Sequence, residues 1–246
     1  LTLDEGDPYT NLKIDKSVSK IKARNIFGKV DHVVKNGSSP DLKIIDINVE
    51  ERATGEISAG AGIGTNGGSF AVNVKENNWL GEGNSIGFDL EFDQDTIKGE
   101  LSFTNPNHDL LGNSLNYRVF STSNDKPDQG FQNSLVGASI GTSFEQYKDV
   151  YTSLSLSASY DDLRTDSSAS ASLQKQKGEF SEIAGTYGIT YDQRNRAFMP
   201  TDGTIIKFRQ SLPIYADKPF IDNTFSSSSY RTLSENLIGS AKFYLS

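Results

Sequence analysis

The sequence predicts an all-β protein: an antiparallel meander of about ten strands, preceded by a small α+β module. Three observations predict it. Two-residue alternation of apolar and polar side chains dominates from residue 55 onward. Glycine, asparagine and aspartate punctuate that alternation at short intervals. Helical periodicity is confined to the first thirty or so residues.

The helical pattern runs from Asp7 to about Phe27, with Ile14, Val18 and Ile21 at spacings of four and three and Lys13, Lys16 and Lys20 between them. Pro8 suits a first helical turn, Gly28 a stop, and the length fits one helix or two short ones. Val30 to Lys35 then reads as a strand, and Asn36-Gly37-Ser38-Ser39-Pro40 as a turn. From Leu42 to Glu51, Ile45, Ile47 and Val49 alternate with Asp46, Asn48 and Glu50, a second strand. The character changes after Arg52-Ala53-Thr54-Gly55, which places a domain boundary there: residues 1–54 and 55–246.

Beyond the boundary, Tyr151 to Tyr160 sets Leu154, Leu156, Ala158 and Tyr160 against Ser153, Ser155, Ser157 and Ser159. Residues 85–93 oppose Ile86, Phe88, Leu90 and Phe92 to Ser85, Gly87, Asp89, Glu91 and Asp93. Similar segments cover 56–64, 69–76, 97–104, 113–121, 134–143, 181–191, 204–212 and 233–245. Many reach the roughly 9–11 residues of a tilted membrane strand, more than the roughly 5–6 usual in soluble sheets. Alternation alone fits a soluble antiparallel sandwich as well as a membrane barrel. The turns Asn66-Gly67 and Gly81-Glu82-Gly83-Asn84 are short, whereas 122–132, 162–179 and 213–232 read as long polar loops. Short turns at one rim and long loops at the other is the outer-membrane arrangement.

Composition narrows the function classes. Lysine plus arginine number 24 against 32 acids, a net charge of -8, which repels phosphate backbones and argues against a nucleic-acid partner. Mean hydropathy is -0.48, and no apolar run approaches the roughly 18 residues of a membrane helix. A barrel escapes that exclusion, since only alternate residues of its strands face lipid. The absence of cysteine excludes a disulfide scaffold or thiolate metal site. The chain starts at Leu1 inside an apparent strand, Leu1-Thr2-Leu3, with no leader pattern before it, and reads as a fragment.

Motifs that resemble chemistry have plainer readings. Gly62-Ile63-Gly64-Thr65-Asn66-Gly67 matches a dinucleotide-binding glycine pattern, but a strand follows where that site requires a helix N-terminus. Asp89, Glu91, Asp93 and Asp95 form a straight stripe that cannot encircle a cation; a solvated strand face with Lys98 and Arg118 nearby accounts for them. The histidines are His32 and His108, and a hydrolase would need His108 beside a serine and an acid. The expectation is no enzyme, no cofactor and no metal.

Four segments, in order, resemble the BamA family of outer-membrane assembly factors. Val49-Glu50-Glu51-Arg52-Ala53-Thr54-Gly55 is similar to the join between the last POTRA domain and the first barrel strand. Asn77-Asn78-Trp79-Leu80-Gly81-Glu82-Gly83-Asn84 resembles the turn after the second strand, and Phe103-Thr104-Asn105-Pro106 the end of the fourth. Tyr191 to Gly203, including Asp192-Gln193-Arg194-Asn195-Arg196 and Met199-Pro200, resembles the turn between strands eight and nine. Glu5-Gly6-Asp7-Pro8-Tyr9 fits the opening of the last POTRA domain.

The resemblance implies an all-β transmembrane antiparallel meander barrel, partial at about ten strands, preceded by a small α+β POTRA domain incomplete at its N-terminus. It implies the central subunit of a machinery that folds and inserts client β-barrel proteins, with a related translocation pore or TamA-type factor as the alternative. The implied partners are the outer-membrane bilayer, client outer-membrane proteins and periplasmic lipoprotein subunits, and the implied setting is the outer membrane with the N-terminal domain in the periplasm. The client-templating edge maps to Glu56, Ile57, Ser58, Ala59, Gly60, Ala61, Gly62, Ile63 and Gly64. Its glycines suggest a weakly held strand, although they also suit barrel curvature. Trp79 has the place of a membrane-interface residue. Arg194 and Arg196 suit lumen carboxylates, lipid headgroups or a solvated turn alike. The family barrel has about sixteen strands, an even number as such barrels require, and the family's Arg-Gly-Phe loop motif and closing strand have no counterpart here.

Overall fold

The structure is a computed structural model that describes all of residues 1–246 except Leu1, Thr2, Asp4, Pro40, Thr65, Asn66, Leu110, Phe198, Glu235 and Asn236. The strand expected at Leu1-Thr2-Leu3, the Asn66-Gly67 turn and the Pro40 end of the first hairpin turn fall wholly or partly outside the described residues. Two compact units make up the chain, one of residues 1–56 with 76–84, the other of residues 57–75 with 85–246.

In the first unit, helix α1 (Asn11–Ala23) precedes strands β1 (Phe27–Asn36) and β2 (Lys43–Glu51), which pair antiparallel with Val30 opposite Val49 and Val34 opposite Ile45. The helix is shorter than its periodicity suggested. Pro8 lies before the helix and not in its first turn; Thr10 is the N-cap, its hydroxyl accepting from the Lys13 N–H at 3.3 Å. At the other end Asn25 takes the left-handed conformation (φ 58) that a glycine would often supply, so Gly28 is left inside β1. Ile14, Val18 and Val30 form the buried core, joined by Ile21, Phe27, Val34, Ile45 and Ile47. These are the periodic positions of the helix and the inward positions of the hairpin, so one apolar stripe packs on one sheet face.

The second unit is dominated by one antiparallel sheet: β3 (Gly55–Gly64), β4 (Gly67–Trp79), β5 (Asn84–Asp93), β6 (Thr96–Asn105), β7 (Ser114–Lys126), β8 (Phe131–Tyr147), β9 (Val150–Thr165), β10 (Gly178–Asp192), β11 (Gly203–Ala216), β12 (Asp222–Ser234) and β13 (Leu237–Leu245). The eleven strands lie in strict sequence order, so every strand pairs with its neighbours in the chain. Register keeps the alternation in phase. Ile140 faces Leu156, which faces Gly185, while Ser139 faces Ser157, which faces Ala184. One face is therefore apolar and the other polar. Cross-strand aromatic contacts mark the apolar face, with centroids of Phe70 and Phe92 at 5.2 Å, Phe103 and Tyr117 at 6.2 Å, Tyr187 and Phe208 at 6.0 Å, and Phe225 and Phe243 at 6.0 Å.

A soluble sandwich would cover that apolar face with a second sheet. Here the strands belong to one sheet, and Val119, Val136, Ile140, Leu154, Leu156 and Ile189 stay exposed. Among the described residues the sheet does not close, because β3 and β13 each have a single strand neighbour.

The sheet has one strand more than the ten expected. The addition is β12, which falls in the segment read as a 213–232 loop. Its positions on the apolar side are Asn223, Phe225, Ser227, Ser229 and Arg231, paired against β11 and β13. With one large apolar residue among five, the alternation signal is absent, and its neighbours impose the extended conformation. The other long loops shrink as well. Between β7 and β8 only a 3-10 turn (Pro127–Gln129) and Gly130 remain, and between β9 and β10 the short helix α2 (Ala171–Gln176) and its flanks. The opposite rim carries connections at 106–113 and 193–202, so loop length does not distinguish the two rims as expected.

Candidate functional site

The sheet has two edge strands, β13 and β3, and β3 contains every residue expected to template a client, Glu56 to Gly64. Alternation sets Ile57, Ala59, Ala61 and Ile63 on one side, and Glu56, Ser58, Gly60, Gly62 and Gly64 on the other. Ile57 is 79% and Ile63 96% exposed, so neither large side chain is held by a neighbour. Around Gly60 there is open space: a Cβ there would meet nothing within 4 Å. Gly62 differs, since a Cβ would approach the Ser69 hydroxyl of β4 at 3.1 Å. Gly60 therefore weakens the strand without a steric requirement for glycine, whereas Gly62 is fitted to its neighbour.

The start of β3 is anchored more firmly than its middle. The Thr54 hydroxyl donates to Glu76, the Asn77 side-chain amide donates to the Thr54 carbonyl at 3.3 Å, and the Asn78 N–H donates to Glu76 at 2.7 Å. The turn after β4 continues this network, with the Gly83 N–H donating to the Asn78 side-chain oxygen at 2.7 Å and the Gly81 N–H to the Asn78 carbonyl at 3.0 Å. Leu80, Gly81 and Gly83 all have positive φ, 56, 76 and 70. Trp79 ends β4 beside this turn and is 42% exposed. The segment that resembled a family turn is therefore a turn, between β4 and β5.

Arg24 and Glu76 are the residues here that sequence reading missed. The Arg24 guanidinium donates to the Gly83 carbonyl at 3.3 Å, and a Cβ on Gly83 would collide with it. Glu76 falls at a position where alternation in β4 calls for an apolar side chain after Phe70, Val72 and Val74, and that break was its visible signal.

The polar face pairs its charges across strands. Asp89 accepts from the Asn73 amide, Lys98 meets Glu91 at 3.4 Å, and Arg118 meets Glu100 at 3.6 Å while its guanidinium lies 4.7 Å from the Phe120 ring centroid. Lys98 thus answers the acidic stripe at Glu91, whereas Arg118 pairs with Glu100 of β6, outside it. Asp93 and Asp95 shape the connection after β5, the Asp95 N–H donating to the Asp93 carboxylate at 2.9 Å and Lys126 reaching Asp95 at 3.6 Å. No group of three metal-ligating side chains occurs among the described residues. In the 106–113 turn, the His108 N–H donates to the Asn113 carbonyl at 2.8 Å. Asp109 accepts from the Leu111 and Asn113 N–H groups, each at 3.0 Å, and these bonds, the Asn113 N–H foremost, hold its carboxyl below the usual range.

The Asp192 to Gly203 motif joins the eighth and ninth strands of the sheet and closes on itself. Arg194 grips Asp192 with two nitrogens, at 2.7 and 2.8 Å, and donates to the Ala197 carbonyl at 3.2 Å. Asn195 accepts from the Thr201 N–H at 3.1 Å, and Gly203 holds φ +100 with a Cβ position only 2.8 Å from the Arg194 Cα. Arg194 is therefore paired inside its own turn, with Asp192, and is not the solvated side chain that one reading expected.

Residues 78–246 match the Omp85 superfamily domain. The chain belongs to the Omp85 superfamily. Among curated Omp85-like relatives, the outer membrane protein assembly factor BamA of Neisseria meningitidis serogroup B is 27% identical over 146 residues, covering 58% of this chain and 17% of that protein. The sorting and assembly machinery component 50 homolog of Homo sapiens is 23% identical over 241 residues, 94% of this chain and 51% of its own length. The crystal structure of BamA from Haemophilus ducreyi lacking POTRA domains 1-3 superposes with a TM-score of 0.77 at 21% identity, covering 98% of this chain and 51% of that one. The likeness to BamA read from four motifs is thus recovered over most of the chain, and the eleven-stranded sheet has the BamA barrel fold. The chain spans about half the length of the human relative and of the solved BamA.

Proposed function

We propose that this chain contributes the last POTRA domain (residues 1–54) and the N-terminal barrel strands (55–246) of an outer-membrane protein assembly factor. Its protein folds and inserts client β-barrels, with no catalytic group and no cofactor. The small domain stands in the periplasm, where lipoprotein subunits of the complex and incoming clients meet it.

The β3 edge carries this reading. In lipid, an unsatisfied N–H or C=O costs several kcal/mol, so a client strand gains most from a template whose own edge is open. Segment 56–64 provides one, with small side chains that leave the backbone accessible and two isoleucines whose faces no neighbour covers. The anchor at Thr54 and Glu76 fixes one end while the middle stays lightly held. Both curated relatives carry assembly in their names, which supports this reading over a passive pore.

Photo-crosslinkers placed singly at 56–64 in the protein that contains this chain test it. Crosslinks to the terminal strand of a client during its insertion are expected at alternate positions, following the pleat. Crosslinks that form elsewhere on the sheet and not on β3 would refute the templating role.

A further inference from the structure

Helix α1 has a charge pattern that its packing does not use. Lys13, Lys16, Lys20 and Arg24 recur at spacings of three, four and four, which places them within about 80° of one another around the axis. The buried positions Ile14, Ser17 and Val18, with the partly buried Ile21, lie on the adjoining face, so the cations form a separate ridge beside the core. This is a basic ridge on a chain whose net charge is -8. Lysines in a last helical turn complement the helix dipole, which accounts for Lys20 and Lys22 but not for Lys16, near the middle of the helix. Lys16 and Lys20 are exposed and have no ion partner among the described residues.

The ridge leads to the turn between β4 and β5, within the same unit. Its last member, Arg24, donates to the Gly83 carbonyl in the turn that follows β4. Arg52 fastens the same end of the helix, its Nε donating to the Asn25 carbonyl at 2.9 Å and its N–H to the Ile26 carbonyl at 3.2 Å. The turn that Arg24 grips displays Trp79 and, 79% exposed, Leu80. Leu80 is held outward by a left-handed backbone (φ 56), which a branched aliphatic residue adopts only under constraint. The acids of this turn are engaged locally: Glu76 accepts from Thr54 and Asn78, and Glu82 accepts from the Asn84 amide at 2.9 Å. The Arg24–Gly83 contact thus links a turn that bears an indole and an exposed leucine to two lysines with no ion partner among the described residues.

That order matches the layers of a lipid leaflet: acyl boundary, then phosphate, then the headgroup exterior. We propose that the 79–83 turn and the Lys16–Lys20–Arg24 ridge form a docking surface for anionic phospholipid headgroups in the leaflet on the small-domain side. Charge complementarity favours that occupant, as does the direct connection of the turn, along the chain, to β4 and β5. The inference rests on the membrane reading above. Its consequence is that headgroup charge orients the small domain against the bilayer, in addition to its covalent link to β3.

Trp79 is the only tryptophan in the chain, so its emission reports on this surface alone. The full chain is refolded into mixed vesicles of phosphatidylcholine and phosphatidylglycerol in which one lipid or the other carries brominated acyl chains. At equal mole fraction, brominated phosphatidylglycerol is expected to quench Trp79 more than brominated phosphatidylcholine. Lys16→Gln and Lys20→Gln should each lower the relative binding constant for the anionic lipid about fivefold at low salt. Lys22→Gln, on the far side of the helix, should leave it unchanged. Equal quenching by both lipids overturns the proposal, and so does an equal loss in Lys22→Gln. Quenching by neither lipid would sink the membrane reading itself. Inorganic phosphate should reduce the preference only as much as sodium chloride of equal ionic strength; a selective effect of phosphate would mean a free-anion site and overturn the proposal.

Discussion

Asp166 shows how single side chains hold the connections of this sheet. It follows β9, outside the strands, and its carboxylate accepts from the Ser168 hydroxyl at 2.6 Å and the Ser168 N–H at 2.7 Å. Those bonds, the hydroxyl first, hold its carboxyl below the usual 3.8 against an opposing cost of desolvation. The charged form is favoured in the fold, so its stabilisation is complete above 3.8 and is lost as pH falls through the lower folded value. The Ser168 amide signal, followed by NMR in detergent micelles, should be flat from about pH 7 to about pH 5 and change below about pH 4. Asp166→Asn should abolish the change, and a midpoint above 3.8 would contradict the account. Residues of this kind were poorly legible in the sequence, where Asp and Ser in a loop signify only polarity. Arg194 was similar: its pairing with Asp192, two residues away, is fixed by a backbone path that spacing does not reveal. Trp79 and Gly203 were easier, because each sits in a segment whose turn chemistry is visible residue by residue.

Among the elements, β3 departs most from an ordinary strand. Glycines at 55, 60, 62 and 64 leave it few cross-strand side-chain pairs, and Gly60, unlike Gly55 and Gly62, has open space around it. Gly60→Thr should strengthen the β3–β4 pairing by about 0.5–1 kcal/mol, since a β-branched residue replaces one that disfavours strands. Slower hydrogen exchange of β3 amides is the expected reading, together with a lower yield of client crosslinks. Stronger pairing with an unchanged crosslink yield would separate strand weakness from templating and reject their connection. Most strands were legible because a large apolar residue recurs at every second position, as in Leu154, Leu156 and Ala158. β12 was not, because Ser227 and Ser229 occupy its apolar-facing positions and only pairing with β11 and β13 defines it. Helix α1 was legible in its stripe but not in its ends, where Thr10 and Asn25 outcompeted Pro8 and Gly28.

For the molecule as a whole, the decisive feature is an apolar sheet face that no second layer covers. Burial near 25 cal/mol per Å2 strongly favours covering such a face, and the chain itself supplies no cover among the described residues. On phase separation of a non-ionic detergent, the folded chain should therefore collect in the detergent-rich phase. A folded chain that stays in the aqueous phase would contradict the bilayer as its partner. Alternation alone could not decide between bilayer and sandwich, because both demand one apolar face; the uncovered sheet among the described residues, a global property, is what supports the bilayer.

The strict chain order of the strands has a further consequence, for ancestry and growth. Because each strand leans only on the one before and the one after, a hairpin can be duplicated or lost without rewiring any other contact. Such a sheet is modular in the way a zipper is: its width is an inheritable count, open to change in steps of two strands. Assembly from β3 to β13 can likewise advance hairpin by hairpin, since no pairing among these strands waits on a distant segment of chain.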